Sequence, residues 1–227
     1  MRVFDFDGTI YDGESLFDLY LFSARYDVRV FRHIAPVLRY AIKYKLGRAT
    51  LEQMERGVGG VARKYLADLS TSKGIDELRL RRLDAAAKAG LGDDVFVGDA
   101  SVIGADDLNG GLRSLVNAFW DRNMRKIKSW YEPRPDDVIL TASFDVTVGE
   151  ACRRLGVRHL IASTIDPETF EVTYLNFNTN KPKRLRQVLG EDAVIDEFYT
   201  DSRFDQPMID MACKGFMVKG DVVTRVK

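Results

Sequence analysis

Two aspartates one residue apart are the first candidates for chemistry: Asp5 and Asp7, in the run Asp5-Phe6-Asp7-Gly8-Thr9. Strand alternation puts residues two apart on the same side, and Gly8 lets the chain turn at once, so the two carboxylates share one small space. Paired carboxylates repel unless something positive lies between them, and a hard divalent ion such as Mg²⁺ with oxygen ligands meets that need. Taken alone, an Asp-x-Asp is more often a solvated acidic turn. Thr141, Ala142 and Ser143 end a second apolar run, Val138-Ile-Leu. Small hydroxyl residues and free backbone N–H groups at a helix start suit a phosphate oxygen, as they also suit an ordinary cap. Lys181 opens a third segment, Asn180-Lys-Pro-Lys-Arg-Leu185, that reads as a helix start. A cation there opposes the helix dipole, which favours a functional reason for it. Asp201 and Asp205 crowd a fourth strand end, Thr200-Asp-Ser-Arg-Phe-Asp205.

The elements that must position these groups follow from the hydrophobic pattern. Val3 to Phe6 reads as a buried strand entering a tight turn. From Glu14 to about Tyr131 the apolar spacing is helical, as in Leu16, Leu19, Tyr20 and Phe22, and then Ile34, Val37, Leu38, Ala41 and Ile42. The Gly-rich stretch from Gly90 to Ala100 interrupts this pattern, and a further helix is expected from Asp106 or Asp107 through Trp130. After Pro133 and Pro135, short strands alternate with helices of about ten residues, which indicates βαβ units and a doubly wound parallel sheet. The segment Thr169 to Phe177 adds a hairpin or edge pairing. The expected architecture is α/β: a Rossmann-like doubly wound core from residues 1–13 and 132–227, with residues 14–131 inserted as a mainly helical cap. In open sheets of this kind ligands sit beyond the carboxyl ends of the strands, and all four motifs fall there.

Composition narrows the function classes. The chain has 227 residues, 45% hydrophobic and 30% charged, enough for one sizeable core with an accessory unit. Thirty-four Lys and Arg balance thirty-four Asp and Glu, so no whole-chain charge draws it to nucleic acid or an anionic membrane. Cys152 and Cys213 form no metal or disulfide framework, and neither a signal peptide nor a membrane span is read, so a cytoplasmic location is the expectation.

The order DFDGT, ILTAS, Lys181 and DSRFD resembles the four motifs of the haloacid dehalogenase (HAD) superfamily. The long helical insert and the DxDGTxxxxES opening resemble its phosphoserine-phosphatase-like branch. The resemblance spans Asp5 to Asp205 and implies a Mg²⁺-dependent phosphomonoester hydrolase acting on a small phosphorylated metabolite. It implies Asp5 as the nucleophile that forms an aspartyl-phosphate, and Asp7 as the acid and then the base. Gly8, Thr141, Ala142 and Lys181 would hold phosphoryl oxygens; Asp201 would join Asp5 and the Asp7 carbonyl at the metal; Asp205 would support Lys181 or the metal waters. Glu14 falls where phosphoserine phosphatases place an acid near the substrate amine, although a helix-start Glu favoured by the dipole reads equally well. Two positions depart from the pattern: Thr200 stands where Gly is commoner, and Phe144 where Pro or Gly is frequent.

Other classes share parts of this signature. A phospho-accepting signalling module also uses an acidic pair, a Thr and a Lys, without a hundred-residue insert after the first strand. A phosphotransferase or mutase would pass the phosphoryl group to a sugar. In the insert, Tyr26 to Lys45 mixes apolar and basic residues, a pattern that can lie on an anionic membrane but more commonly is packed core with a solvated basic face, which is the expectation here. Lipid phosphates stay among the candidate substrates. His33 and His159 read as structural, Phe119, Trp120, Trp130 and Tyr131 as packing at the domain junction, and the acidic stretch Asp93 to Asp107 as a surface loop.

Overall fold

The computed structural model of the chain describes residues 1–88, 102, 108 and 110–227. Seven strands form one sheet: β1 (Arg2–Phe4), β2 (Val138–Phe144), β3 (His159–Ile165), β4 (Val172–Tyr174), β5 (Glu197–Thr200), β6 (Lys214–Lys219) and β7 (Val222–Arg225). Their order is β4-β3-β2-β1-β5-β6-β7; the inner pairs are parallel, and β4 and β7 close the edges antiparallel. Between β1 and β2 the described chain is helical: α1 (Ser15–Ser23), α2 (Phe31–Lys45), α3 (Leu51–Ser70), α4 (Lys73–Lys88) and α5 (Gly110–Asn123). The later helices are α6 (Asp145–Leu155), α7 (Asn180–Leu189) and α8 (Gln206–Met211). This is the α/β core with a helical insert that the pattern predicts.

Strand alternation sorts the core into two layers. Val3, Val138, Leu140 and Phe198 pack with Leu185 of α7 and Met208 of α8. Phe4 and Ile139, on the opposite face, pack with α1, α3, α5 and α6. Asp5 continues the ladder one step past β1, its N–H donating to the Tyr199 carbonyl at 2.8 Å. By parity with Val3 its side chain leaves on the α7 face, where Lys181 lies. β1 is also where the strand order reverses between β2 and β5, the place such sheets leave open for a ligand.

Several boundaries differ from the sequence reading. The helix expected to run to Trp130 stops at Asn123. Met124–Lys126 tighten into a 3₁₀ turn, and the chain then pairs with the outgoing connector: Asp12 N–H donates to Lys126 O and Lys128 N–H to Ile10 O, both at 2.8 Å. A longer helix would forfeit those bonds. β7 was not foreseen; it returns on β6 through a turn at Gly220, whose φ of +58° suits glycine. The Gly90–Ala100 interruption lies outside the described residues, as does all of the Asp93 to Asp107 loop reading except Val102. Phe119 and Trp120 are fully buried, and Trp120 Nε1 donates to the Thr147 carbonyl at 2.7 Å, so they are packing as expected.

Candidate active site

Lys181 is the centre of the arrangement. It is buried in the first turn of α7, and its Nζ donates to Asp5 Oδ1 at 3.0 Å and to Asp205 Oδ2 at 2.7 Å. Burial by itself would lower the ammonium's pKa, but the two carboxylates outweigh that and raise it. Asp205 precedes α8 and also accepts from Thr200 Oγ1 at 2.9 Å. The hydroxyl that departs from the family pattern at position 200 therefore does work a glycine could not.

Asp7 faces different partners. Its Oδ1 accepts the Ser15 N–H at 2.6 Å and its Oδ2 accepts the Ser143 hydroxyl, while the two serine Oγ atoms lie 3.2 Å apart. Burial raises the Asp7 carboxyl above its ordinary value in spite of those bonds. Asp5 is pushed well up by burial and by Asp205 and Asp7, with Lys181 opposing. The two acids are thus neighbours with separate anchors: Asp5 on a cation, Asp7 on neutral donors.

Gly8 explains the close approach of β5's end. Its φ is +68°, and a Cβ placed there would lie 2.1 Å from Asp201 Oδ2. Only glycine permits this turn against Asp201. Thr9, fully buried, completes the contact by accepting the Asp201 N–H at 2.9 Å. Thr141 is buried in β2, where the pairing with β3 shifts register between Leu140 and Phe144, and its Oγ1 accepts the Ser143 N–H at 3.1 Å. The Ala142 carbonyl is held by Ser163 Oγ at 2.6 Å. Glu14 is the N-cap residue of α1, with extended backbone and no capping bond from its side chain. Burial and the carboxylates of Asp7, Asp201 and Asp18 push it up to about 7.

The donor set suits a hard cation. Asp5 and Asp205 share the buried ammonium of Lys181, Asp201 lies near both Lys181 and Lys128, and Asp7 and Glu14 are close by; burial together with Asp205 also raises Asp201. Among the described residues no three acidic, His or Cys side chains form a ready-made metal cluster. Two carboxylates and a carbonyl, with the remaining positions left to phosphate and water, is the kind of set Mg²⁺ accepts.

Four contributors were not among the predicted site residues: Ser15, Thr9, Thr200 and Lys128. Ser15 and Thr9 stand inside the opening motif and could have been read from it. Lys128 carries no sequence signal: it is buried in the returning connector, and its Nζ donates to the carbonyls of Gly8 and of Gly220, the latter at 2.8 Å. It ties the Gly8 turn to the last hairpin.

Solved structures share this fold. A protein of unknown function from Bordetella pertussis Tohama I superposes with a TM-score of 0.52 at 18% identity, covering 95% of this chain and 87% of its own. A HAD family hydrolase from Salmonella enterica subsp. enterica serovar Typhi gives 0.52 at 12% identity, over 93% of this chain and 59% of its own. No protein-family model and no curated protein matches the sequence. The chain therefore shares its fold with these two proteins, one of them a HAD family hydrolase.

Proposed function

We propose that this chain is a phosphatase that hydrolyses a small phosphomonoester through an aspartyl-phosphate on Asp5. The observation that carries the reading is the buried Asp5–Lys181–Asp205 contact beside an Asp7 held by neutral donors. Two acids of one motif are given opposite roles by their surroundings.

In the first step an Asp5 oxygen attacks phosphorus and the ester oxygen leaves, taking the proton that Asp7's raised pKa keeps available. In the second, Asp7, now a carboxylate, removes a proton from water, whose oxygen attacks the phosphoryl group; the P–O bond to Asp5 breaks, phosphate leaves and both carboxyls are restored. Lys181, the Thr141 hydroxyl and backbone N–H groups near Gly8 and Ala142 hold the phosphoryl oxygens and offset their charge. Asp5 must be ionised to attack, and its crowding opposes this, so the reading calls for positive charge beyond Lys181. Mg²⁺ held by Asp5, Asp201 and the Asp7 carbonyl would supply it, neutralising charge on the transferring group. Residues 14–131 serve as the cap that closes over the substrate, and Glu14 meets its non-phosphate end.

The test is phosphate release from a panel of phosphoamino acids, sugar phosphates and lipid phosphates, with Mg²⁺ and with chelator. Asp5→Asn is expected to fold and to lose turnover by at least about 10⁴-fold, as removal of a covalent nucleophile does. Parental activity in that variant would overturn the mechanism, and phosphoryl transfer only to an added acceptor would replace hydrolysis by transferase chemistry.

A further inference from the structure

The chain is neutral overall, yet residues 28–50 contain Arg29, Arg32, Arg39, Lys43, Lys45 and Arg48 and no acidic residue. The same segment displays apolar side chains to solvent: Val28 is 73% exposed, Phe31 54%, Leu38 49%, Ile42 56% and Leu46 60%. At 100° per residue Phe31, Leu38 and Ile42 fall within about 40° of the circumference of α2, a single outer row, with Val28 in the 3₁₀ turn just before the helix and Leu46 just past its end. The inner side is already occupied: His33 is buried against Asp68, and Val37 lines an apolar cavity with Leu16, Tyr65 and Leu66. The expectation of packed core with a solvated basic face thus holds for the inner row only. Phe31, Leu38 and Ile42 of this helix face water.

The basic residues flank that outer row. Arg32, Arg39 and Lys43 each follow one of its members by one position. Arg29 and Arg32 are engaged by Asp27 and Asp68, whereas Arg39, Lys43 and Arg48 make no ion pair among the described residues. Where α2 meets α3, Lys43, Arg48 and Arg56 line an open groove of about 470 Å³ with Tyr40.

We infer that α2 lies on an anionic lipid bilayer, with Val28, Phe31, Leu38, Ile42 and Leu46 in the headgroup boundary and Arg39, Lys43 and Arg48 on lipid phosphates. An apolar row flanked by cations that make no ion pair among the described residues is the pattern of an interfacial helix. The row is one side chain wide, too narrow for the roughly 800 Å² per partner of a stable protein interface. A bilayer imposes no such area, and the charge complements it. Among the described residues no helix is long and apolar enough to cross a membrane, so the contact is peripheral. The inference does not depend on the proposed phosphatase activity.

The experiment is co-sedimentation of the full chain with vesicles of phosphatidylcholine alone or with about 30% phosphatidylglycerol, near 0.1 M and near 0.5 M salt. Three such cations predict partitioning favoured by roughly 100-fold on the anionic vesicles and weakened by salt. Leu38→Ser/Ile42→Ser/Leu46→Ser and Arg39→Glu/Lys43→Glu/Arg48→Glu should each lose at least about 10-fold in binding while keeping the circular dichroism spectrum, since none of the altered side chains is buried. Absence of binding to anionic vesicles, equal binding to neutral ones, or parental binding by both variants would overturn the inference. So would a dimer in light scattering that the Ser variant splits and that shows no affinity for vesicles, because the row would then belong to a second copy. An acidic protein captured in place of vesicles would overturn it likewise.

Discussion

At the carboxyl edge of the sheet Lys181 is buried and bonded to two carboxylates, while on α2 Arg39 and Lys43 lie at the surface without an ion pair among the described residues. The apolar residues are divided the same way: Val3 and Phe4 are sealed beneath the site, and Leu38 and Ile42 face water. One region therefore withdraws charge from solvent and must compensate it internally, and the other leaves charge and apolar surface unsatisfied by the protein itself. Burial of an ion costs several kcal/mol unless a partner is built in, so the first region has little tolerance for change and the second has a great deal.

The sharpest way to break that contrast is Lys181→Met. It leaves Asp5 and Asp205 buried together without a cation, and a loss of about 3–5 kcal/mol is expected from urea unfolding. An acid whose folded pKa is raised loses stability as pH rises, so the defect of this variant should be larger at pH 8 than at pH 5. Adding Asp205→Asn should recover part of it. A loss below about 0.5 kcal/mol, the range of a surface substitution on α2, would erase the distinction between the two regions.

Gly8→Ala tests the close approach rather than the charge. Its positive φ and the 2.1 Å clash with Asp201 predict about 1–2 kcal/mol of destabilisation and a roughly 100-fold fall in phosphate release, because Asp201 must move. If the variant had normal kinetics, the tight packing of the Gly8 turn on β5 would be unimportant to the site.

Glu14→Gln is the smallest effect. The carboxyl is raised from its ordinary 4.5 to about 7 by burial and by Asp7, Asp201 and Asp18. Between those values the unfolded chain holds fewer protons than the folded one, so the parent's stability falls as pH rises from 4.5 towards 7. Because Glu14 is only partly withdrawn from water, screening reduces the effect, and the Gln variant should be more stable at pH 8 by about 1 kcal/mol and equal to the parent at pH 4. Thermal melts at the two pH values check this; a destabilised variant at pH 8 would mean that ionised Glu14 has a partner.

Legibility followed the range of the interactions. The strands and helices of the core were readable because period-two and period-3.6 patterns are local, and α6, α7 and β3 fall within a few residues of the reading. The end of α5 was misread because pairing of residues 126–128 with 10–12 overrides local helical preference. At the site, Asp5, Asp7, Lys181, Asp201 and Asp205 were legible as polar residues at strand or helix ends. Lys128 was not, because its partners are carbonyls 120 and 92 residues away.

The sequence by itself determined the βα alternation, the long helical insertion and the placement of four polar motifs at the carboxyl ends of strands, since each depends on neighbours along the chain. Only the tertiary structure decided that Asp5 belongs to Lys181 and Asp7 to the two serines, because β1 ends before them and Lys181 and Ser143 arrive from elements far away in the sequence. It also decided which side of α2 is core. Two apolar rows on one helix look alike in sequence, and the packing of α3 chooses one and leaves the other to solvent.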